Sequence, residues 1–286
     1  MKILLAIVHY WDPQGNRKHQ SLRPNPAPRC LALQSQLLAL RRLGTQQYML
    51  HMADRVICRT NDAYRNSIDI RVITDGEHTV LDRLEPDYHQ FIQEIPSQPE
   101  NGLMLGFEAQ RFLASQLDQG YDLYGYLEDD LVIQDSRYVD KMAWFCDQTD
   151  HQFVLMPHRR EPTAAHAPQH LYVDGPIKPV DQATPVWAGD EALKVRVRFW
   201  DGQEIDFAKV ANPHSGSFCI STPQLEQLRE APWPPDSFVG PLETAATGTV
   251  IGNFEVLKPS LPCREFLTLE HGNPSFLETL KTLPRR

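Results

Sequence analysis

The feature that most constrains this chain is a run of three acidic residues inside an apolar, β-prone stretch. Glu128, Asp129 and Asp130 follow the apolar residues 124–127 and precede the apolar residues 131–133. Ionised carboxylates are costly in a protein core unless they are paired or bind a metal ion. In an extended chain, Glu128 and Asp130 point to one face and Asp129 to the other. Two carboxylates on one face suit Mg²⁺ or Mn²⁺. The alternative is a solvated strand end with acids in a turn.

Length and charge limit the classes of protein to consider. The chain has 286 residues, of which 41% are hydrophobic, enough for one large α/β domain or two small ones. Its 28 basic and 37 acidic residues give a net charge of −9. An acidic chain is a poor candidate for binding nucleic acid. Locally, Arg159 and Arg160 would hold a diphosphate or an anionic acceptor, or form a solvated pair.

The cysteines and the amino terminus bear on location. The five cysteines are scattered, odd in number and without C-x-x-C spacing, which argues against a disulfide scaffold or a zinc knuckle. The apolar stretch at residues 3–8 lacks the length and cleavage site of a signal peptide. No segment approaches the roughly 20 apolar residues of a membrane span. We therefore expect a cytoplasmic protein without a transmembrane segment, with peripheral membrane association as the alternative.

Apolar runs alternate with helical patterns in the first half of the chain. Strands are predicted at residues 3–8, 68–74, 91–95, 121–133 and 153–156, and helices at 29–43, 103–117 and 138–146. This alternation predicts an α/β fold with an open parallel sheet covered on both faces. Ligands of such sheets bind beyond the carboxyl ends of the strands, where the acidic run lies. Residues 157–186 are rich in Pro and His and predict a long surface excursion.

Residues 121–131, Y-D-L-Y-G-Y-L-E-D-D-L, resemble the DXD region of nucleotide-sugar glycosyltransferases of the GT-A fold, for which an E-D-D version is a known variant. The resemblance implies a Rossmann-like, mostly parallel sheet flanked by helices, in a single domain over residues 1–286. Residues 1 to about 135 would bind the nucleotide sugar, and residues from about 136 to 286 the acceptor. Asp130 would bind the divalent ion directly, Glu128 directly or through water, and Asp129 would approach the ribose.

Later residues extend the resemblance. Residues 214–221 are similar to the segment before the acceptor-side helix, where Gly216 would let backbone approach a sugar closely. Glu243, two residues after a proline suited to the first helical position, resembles the acid that deprotonates the acceptor in inverting members, with Asp236 as its main rival. Acids near a helix amino terminus are also stabilised by the dipole. His271 resembles the late histidine that completes the metal shell; alternatively it is a surface residue.

The resemblance implies a metal-dependent glycosyltransferase that uses Mn²⁺ or Mg²⁺ and moves a sugar from a nucleotide-diphospho-sugar to a carbohydrate or other hydroxyl acceptor. The chain has no G-x-G-x-x-G, Walker A or G-x-S-x-G motif, which disfavours dehydrogenases, P-loop enzymes and serine hydrolases. Two alternatives stay open. One is a sugar nucleotidyltransferase. Such enzymes carry a glycine-rich basic loop, which residues 15–18 resemble faintly. The other is a non-catalytic nucleotide- or sugar-binding protein on the same scaffold.

Overall fold

The computed structural model describes residues 1–15, 20–61, 66–162, 170–175, 192–230, 240–272 and 276. The longer helices are α1 (Ala27–Arg42), α2 (Leu105–Ser115), α3 (Tyr138–Gln148) and α4 (Thr222–Glu230). A last helical stretch joins α5 (Pro241–Glu243), a π-helical turn (Thr244–Gly248) and α6 (Thr249–Ile251). Short 3₁₀ helices lie at Gln20–Leu22, Leu81–Arg83, Pro86–Gln90, Gly102–Met104, Leu117–Gln119 and Leu261–Phe266.

The strands form a central sheet, two smaller sheets and a hairpin. In chain order they are β1 (Lys2–Val8), β2 (Tyr48–His51), β3 (Val56–Arg59), β4 (Ser67–Thr74), β5 (Ile92–Pro96), β6 (Leu123–Glu128), β7 (Leu131–Val132), β8 (Phe153–Leu155), β9 (His158–Pro162), β10 (His170–Tyr172), β11 (Ala192–Arg198), β12 (Glu204–Lys209), β13 (Ser217–Ser221), β14 (Glu255–Pro259) and β15 (Thr268–His271). The central sheet has the order β13-β6-β1-β4-β5. In it β6, β1, β4 and β5 are parallel, and β13 pairs antiparallel with β6.

Both faces of the central sheet are buried at β1 and β6, because these two strands are apolar at nearly every position. On β1, Ile3, Leu5 and Ile7 belong to a core that includes α1 and α3. Leu4 and Ala6 point to the other face and pack in a second core with α2 and α4. Alternate residues of one apolar strand therefore pack against helices on opposite faces of the sheet. The predicted fold class, α/β with a Rossmann-like, mostly parallel sheet flanked by helices, is confirmed.

A second sheet brings the carboxyl-terminal part of the chain to the acidic run. It has the order β10-β9-β15-β7. The short strand β7 directly follows the acids, and β15 pairs antiparallel with it, so that His271 faces Leu131 in the register. On its other side β15 runs parallel to β9, which pairs antiparallel with β10. A third sheet has the order β11-β12-β14-β8.

Two expectations about local structure need correction. The predicted single strand over residues 121–133 ends at Glu128, because Asp129 and Asp130 form a turn before β7. The excursion predicted over residues 157–186 contains β9 and β10 in its described part, while residues 163–169 and 176–186 lie outside the described residues. The hairpin β2–β3 and strands β12 and β15 were not predicted. Within the part of the chain described here, none of the helices has the length and apolar character to span a membrane.

Candidate active site

The candidate site lies at the carboxyl ends of β1, β4 and β6. In the parallel register Val8, at the end of β1, pairs with both Glu128 and Ile73. The residues that follow these strands therefore lie at the same edge of the sheet, as open α/β sheets place their ligands. His9 follows β1 and Asp129 follows β6, so the register alone brings these two side chains together.

Asp129 is buried between His9 and Arg29. His9 Nδ1 lies 2.5 Å from one carboxylate oxygen of Asp129, and the Arg29 guanidinium donates to the other. The amide of Val80 donates to His9 Nε2 over 3.0 Å, so Nδ1 carries the ring proton and donates to Asp129. Burial alone would raise the pKa of Asp129, but the charge of Arg29 and the hydrogen bond from His9 outweigh it and lower that pKa. Both oxygens of Asp129 are thus engaged by protein donors, at the position proposed for ribose contact.

Asp130 faces His271 at the edge of the sheet. His271 Nε2 lies 3.6 Å from Asp130 Oδ2, and Arg29 Nη1 lies 3.5 Å from the same oxygen. On the other side of the ring, His271 Nδ1 lies 2.9 Å from Oε1 of the fully buried Glu161. The amide of Gly272 donates to the Asp130 carbonyl over 2.6 Å and fixes the end of β15 to the acidic turn.

Glu128 points away from Asp129, toward Gly216. The Glu128 amide donates to the Gly216 carbonyl over 3.0 Å, and the Gln36 side chain donates to the Glu128 carbonyl over 2.6 Å. Gly216 has φ +62°, and a Cβ there would lie 2.6 Å from Glu128 Oε2. Burial raises the pKa of the Glu128 carboxyl to about 7, against the opposing charge of Arg159. The carboxylate therefore lies against bare backbone, which only glycine allows at this distance.

Arg159 is ion-paired and buried, which corrects the expectation of a solvated Arg159–Arg160 pair. Its Nε lies 2.9 Å from Oδ1 of the buried Asp174, whose other oxygen lies 3.0 Å from Lys258 Nζ. Arg160 lies 3.1 Å from Glu270. Burial would raise the pKa of Asp174, but the charges of Lys258 and Arg159 lower it to about 2.

Lys258 is completely buried on β14. Its Nζ also donates to the carbonyl of His214 over 2.7 Å. Burial lowers the pKa of Lys258 to about 8, although Asp174 opposes the shift. For His214, burial and the charge of Arg159 lower the pKa to about 3, so the ring is neutral. The cluster of Arg159, Asp174, His214 and Lys258 keeps a fixed positive charge beside the acidic run, because Arg159 retains its proton throughout the physiological range.

The two candidate bases have different outcomes. Glu243 lies in the first turn of α5, partly exposed, and its charge is among those that raise the pKa of Glu128. It is thus close enough to Glu128 for the two charges to interact. Asp236 lies outside the described residues.

The site offers few donors for Mn²⁺ or Mg²⁺. In the parts of the chain that are described, no group of three or more His, Cys, Asp or Glu side chains is arranged to hold a metal ion. The Asp130 carboxylate and the His271 Nε2 are nevertheless two suitable donors, 3.6 Å apart, too far for a hydrogen bond. The Glu161 contact gives His271 the second hydrogen bond that metal-binding histidines usually make. The donor set fits a divalent ion that takes its remaining ligands from substrate phosphates and water.

Several residues of the site were not predicted. His9 was detectable in principle, because it follows β1 as the acids follow β6 in a parallel sheet. No such signal marks Arg29, Glu161 or Lys258, because their partners are distant in the chain. The separation is 100 residues for Arg29 and Asp129, 110 for Glu161 and His271, and 84 for Lys258 and Asp174. Only the pairing of β15 with β7 and β9 brings His271 and Glu161 together.

Comparisons with known proteins give resemblances at the level of solved structures. No protein-family model matches the chain, and a search of curated proteins finds no match. The chain is similar to the crystal structure of S. aureus TarS 1–349, with 12% identity and a TM-score of 0.43 over 90% of this chain and 58% of the other. It is also similar to that protein in complex with UDP, with 10% identity and a TM-score of 0.44 over 90% of this chain and 57% of the other.

A third similar structure is GalNAc-T7 with UDP, GalNAc and Mn²⁺, with 12% identity and a TM-score of 0.46, covering 94% of this chain and 43% of the other. The chain thus spans less than three fifths of the length of these proteins. Likenesses this distant carry no argument about function, which is drawn from the site itself.

Proposed function

We propose that this chain is a metal-dependent glycosyltransferase of the GT-A type. It transfers a sugar from a nucleotide-diphospho-sugar to a carbohydrate or other hydroxyl acceptor. The acidic residues 128–130 act as its DXD-like motif, in the E-D-D form. The amino-terminal half binds the donor and the carboxyl-terminal half the acceptor.

The single observation that carries this proposal is the convergence of Asp130 and His271. A carboxylate from the end of a central parallel strand and an imidazole from the last described strand lie 3.6 Å apart at the sheet edge where ligands bind. Asp130 also lies 3.5 Å from Arg29, and His271 contacts Glu161, so the protein holds both donors in place. A carboxylate and an imidazole nitrogen at this separation form an ion pair when the ring is protonated, and a divalent cation between them would replace that proton.

Asp130, His271 and Glu128 would hold Mn²⁺ or Mg²⁺. When bound, the ion would supply Lewis-acid stabilisation of the charge that develops on the diphosphate leaving group. Asp129 keeps Arg29 at the site, where the guanidinium also lies 3.5 Å from Asp130 and balances the negative charge. Arg159, held by Asp174, adds a second positive charge. Glu243 accepts the proton of the attacking hydroxyl if configuration is inverted.

A calorimetric titration tests the proposal. Wild-type protein is titrated with UDP, GDP, CMP and dTDP and their sugars, with and without Mn²⁺. We expect metal-dependent binding of one nucleotide series, and loss of its Mn²⁺ dependence in Asp130→Ala. The matched control is Asp118→Ala, because Asp118 is exposed and precedes β6, at the opposite edge of the sheet from the acidic run. Unchanged Mn²⁺-dependent binding by Asp130→Ala would overturn the assignment.

Product-release assays with the wild-type protein distinguish the alternative functions. Release of pyrophosphate from a nucleoside triphosphate and a sugar phosphate would indicate the sugar nucleotidyltransferase. Tight nucleotide-sugar binding without hydrolysis or transfer to any acceptor in a hydroxyl library would indicate the non-catalytic binding protein. Release of nucleoside diphosphate that increases with an acceptor supports the transferase.

A further inference from the structure

The hairpin of β2 and β3 is the most apolar exposed feature of the described residues. Within them, these two strands pair only with each other. Met52, in the turn, is 75% exposed, and Ile57 is 71% exposed. Four further large apolar side chains of the hairpin are about half exposed: Tyr48, Met49, Leu50 and Val56. This cluster of six residues is called the apolar hairpin below.

The apolar hairpin exposes apolar side chains on both of its faces. Tyr48, Met49 and Leu50 are consecutive on β2, so they alternate between the two faces, and all three are exposed. A two-stranded hairpin is marginally stable in water unless something covers it. Contiguous exposed apolar surface marks an interaction site. A protein partner that covers only one face of the hairpin would leave the apolar side chains of the other face in water. A lipid layer can accommodate the apolar side chains of both faces.

The chain segment that contains the apolar hairpin has a net charge opposite in sign to that of the whole chain. Residues 41–61 contain four arginines and one aspartate, with no lysine or glutamate, so their net charge is 4 − 1 = +3. The rest of the chain therefore carries −9 − 3 = −12. The four arginines, all exposed, are Arg41, Arg42, Arg55 and Arg59. The aspartate, Asp54, lies 3.0 Å from His51 within the same hairpin.

We propose that the apolar hairpin docks this protein on an anionic lipid surface. Its apolar side chains enter the boundary between headgroups and acyl chains, and the arginines contact anionic headgroups. Apolar insertion combined with basic residues is the combination that gives reversible peripheral binding. The open backbone edges of β2 and β3 stay in the hydrated interfacial layer, because unpaired amides and carbonyls are not tolerated in hydrocarbon.

Charge also decides against a second copy of the chain as the partner. In a two-fold symmetric contact through this hairpin, the same patch meets itself. The arginines of both copies would then be juxtaposed, which disfavours association. An anionic bilayer instead offers opposite charge to all of them.

Sedimentation with vesicles tests the proposal. Wild-type protein is mixed with vesicles of phosphatidylcholine alone, or with about one third phosphatidylglycerol, at low salt and at about 0.5 M NaCl. We expect binding to the anionic vesicles at low salt and at least tenfold weaker binding at high salt or without the anionic lipid. Each arginine near the surface strengthens binding about fivefold, so Arg42→Gln with Arg55→Gln is expected to weaken it about 25-fold.

The apolar contribution is tested by Met52→Ser with Ile57→Ser, and the control is Leu103→Ser. Leu103 is 50% exposed and lies outside the hairpin. We expect the double variant to bind anionic vesicles at least tenfold more weakly and the control to bind like wild type, with unchanged melting temperatures, because all three side chains are exposed. The proposal is overturned if wild type stays in the supernatant with anionic vesicles at low salt, or if Met52→Ser with Ile57→Ser sediments like wild type. A concentration-dependent dimer in lipid-free light scattering that the double variant abolishes would assign the hairpin to a second copy instead.

Discussion

His271 Nε2 faces Asp130 Oδ2 at 3.6 Å, while the other nitrogen of the same ring contacts the buried Glu161 at 2.9 Å. Because a carboxylate accepts hydrogen bonds, the contact places a proton on Nδ1. Burial would lower the pKa of the His271 ring, but the hydrogen bond with Glu161 and the charge of Asp130 outweigh it and raise that pKa. In the proposed metal-bound state, a divalent cation would replace the Nε2 proton between the ring and Asp130.

Glu161 is expected to position His271. Glu161→Ala should lower the Mn²⁺ affinity of the nucleotide-bound protein about 10- to 100-fold, because the ring loses the hydrogen bond that fixes its tautomer and orientation. Glu161→Gln keeps an acceptor and should retain most of the affinity. The measurements are paramagnetic resonance of free Mn²⁺ and ¹⁵N shifts of the His271 ring. The exposed Glu265→Gln is the control; equal affinity in Glu161→Ala and wild type would contradict the prediction.

Gly216→Ala is expected to displace the Glu128 carboxylate. The new Cβ would lie 2.6 Å from Glu128 Oε2, and φ is +62°. Gly120→Ala is the matched control, because Gly120 has φ +69° and open space around its Cβ position. Both variants should lose about 1 kcal/mol of unfolding free energy from the left-handed backbone. Only Gly216→Ala should weaken Mn²⁺-dependent nucleotide binding by calorimetry; equal effects of the two variants would show that Glu128 is not involved.

Asp174→Asn is expected to destabilise the fold in a pH-dependent way. At pH 7 the loss should be about 3 kcal/mol, because Arg159 and Lys258 lose a buried counter-charge. The pKa of Asp174 lies at about 2, below its ordinary value of 3.8. A lowered acid pKa gives stability that is complete above about pH 4 and is lost as the pH falls through about 2. Urea unfolding should therefore show a constant difference from wild type between pH 7 and 5, which shrinks from pH 4 to 2.

The control for this series is Asp206→Asn, in which an exposed pair with Arg196 is broken. That variant should change stability little, because exposed ion pairs contribute little. A difference between wild type and Asp174→Asn that stays constant down to pH 2 would contradict the assigned role of Asp174.

Glu243→Gln is expected to lower kcat about 10²- to 10⁴-fold with little change in donor binding, because a glutamine cannot accept the hydroxyl proton. The readout is release of nucleoside diphosphate in the presence of an acceptor found by screening. Asp236→Asn is measured beside it. Full activity in Glu243→Gln together with loss in Asp236→Asn would assign the base to Asp236.

Much of the fold follows from local pattern. The apolar runs at β1, β4 and β6, separated by helical segments, predict a parallel sheet, because such strands bury both faces and need crossover helices. The boundaries of α1 and β4 agree with prediction to within two residues. The hairpin β2–β3 escaped prediction because half of its residues are exposed apolar side chains without alternation.

By itself, the sequence determined that the chain is α/β and that three acids follow a central strand, since strand propensity and apolar periodicity are properties of neighbouring residues. Only the tertiary structure decided the partners of those acids. Asp129 is held by His9 and Arg29, Asp130 faces His271, and Glu128 lies against Gly216. The register of β1 with β6 brings in His9, that of β13 with β6 brings in Gly216, and that of β15 with β7 brings in His271. No local pattern encodes a register between strands that are distant in the chain.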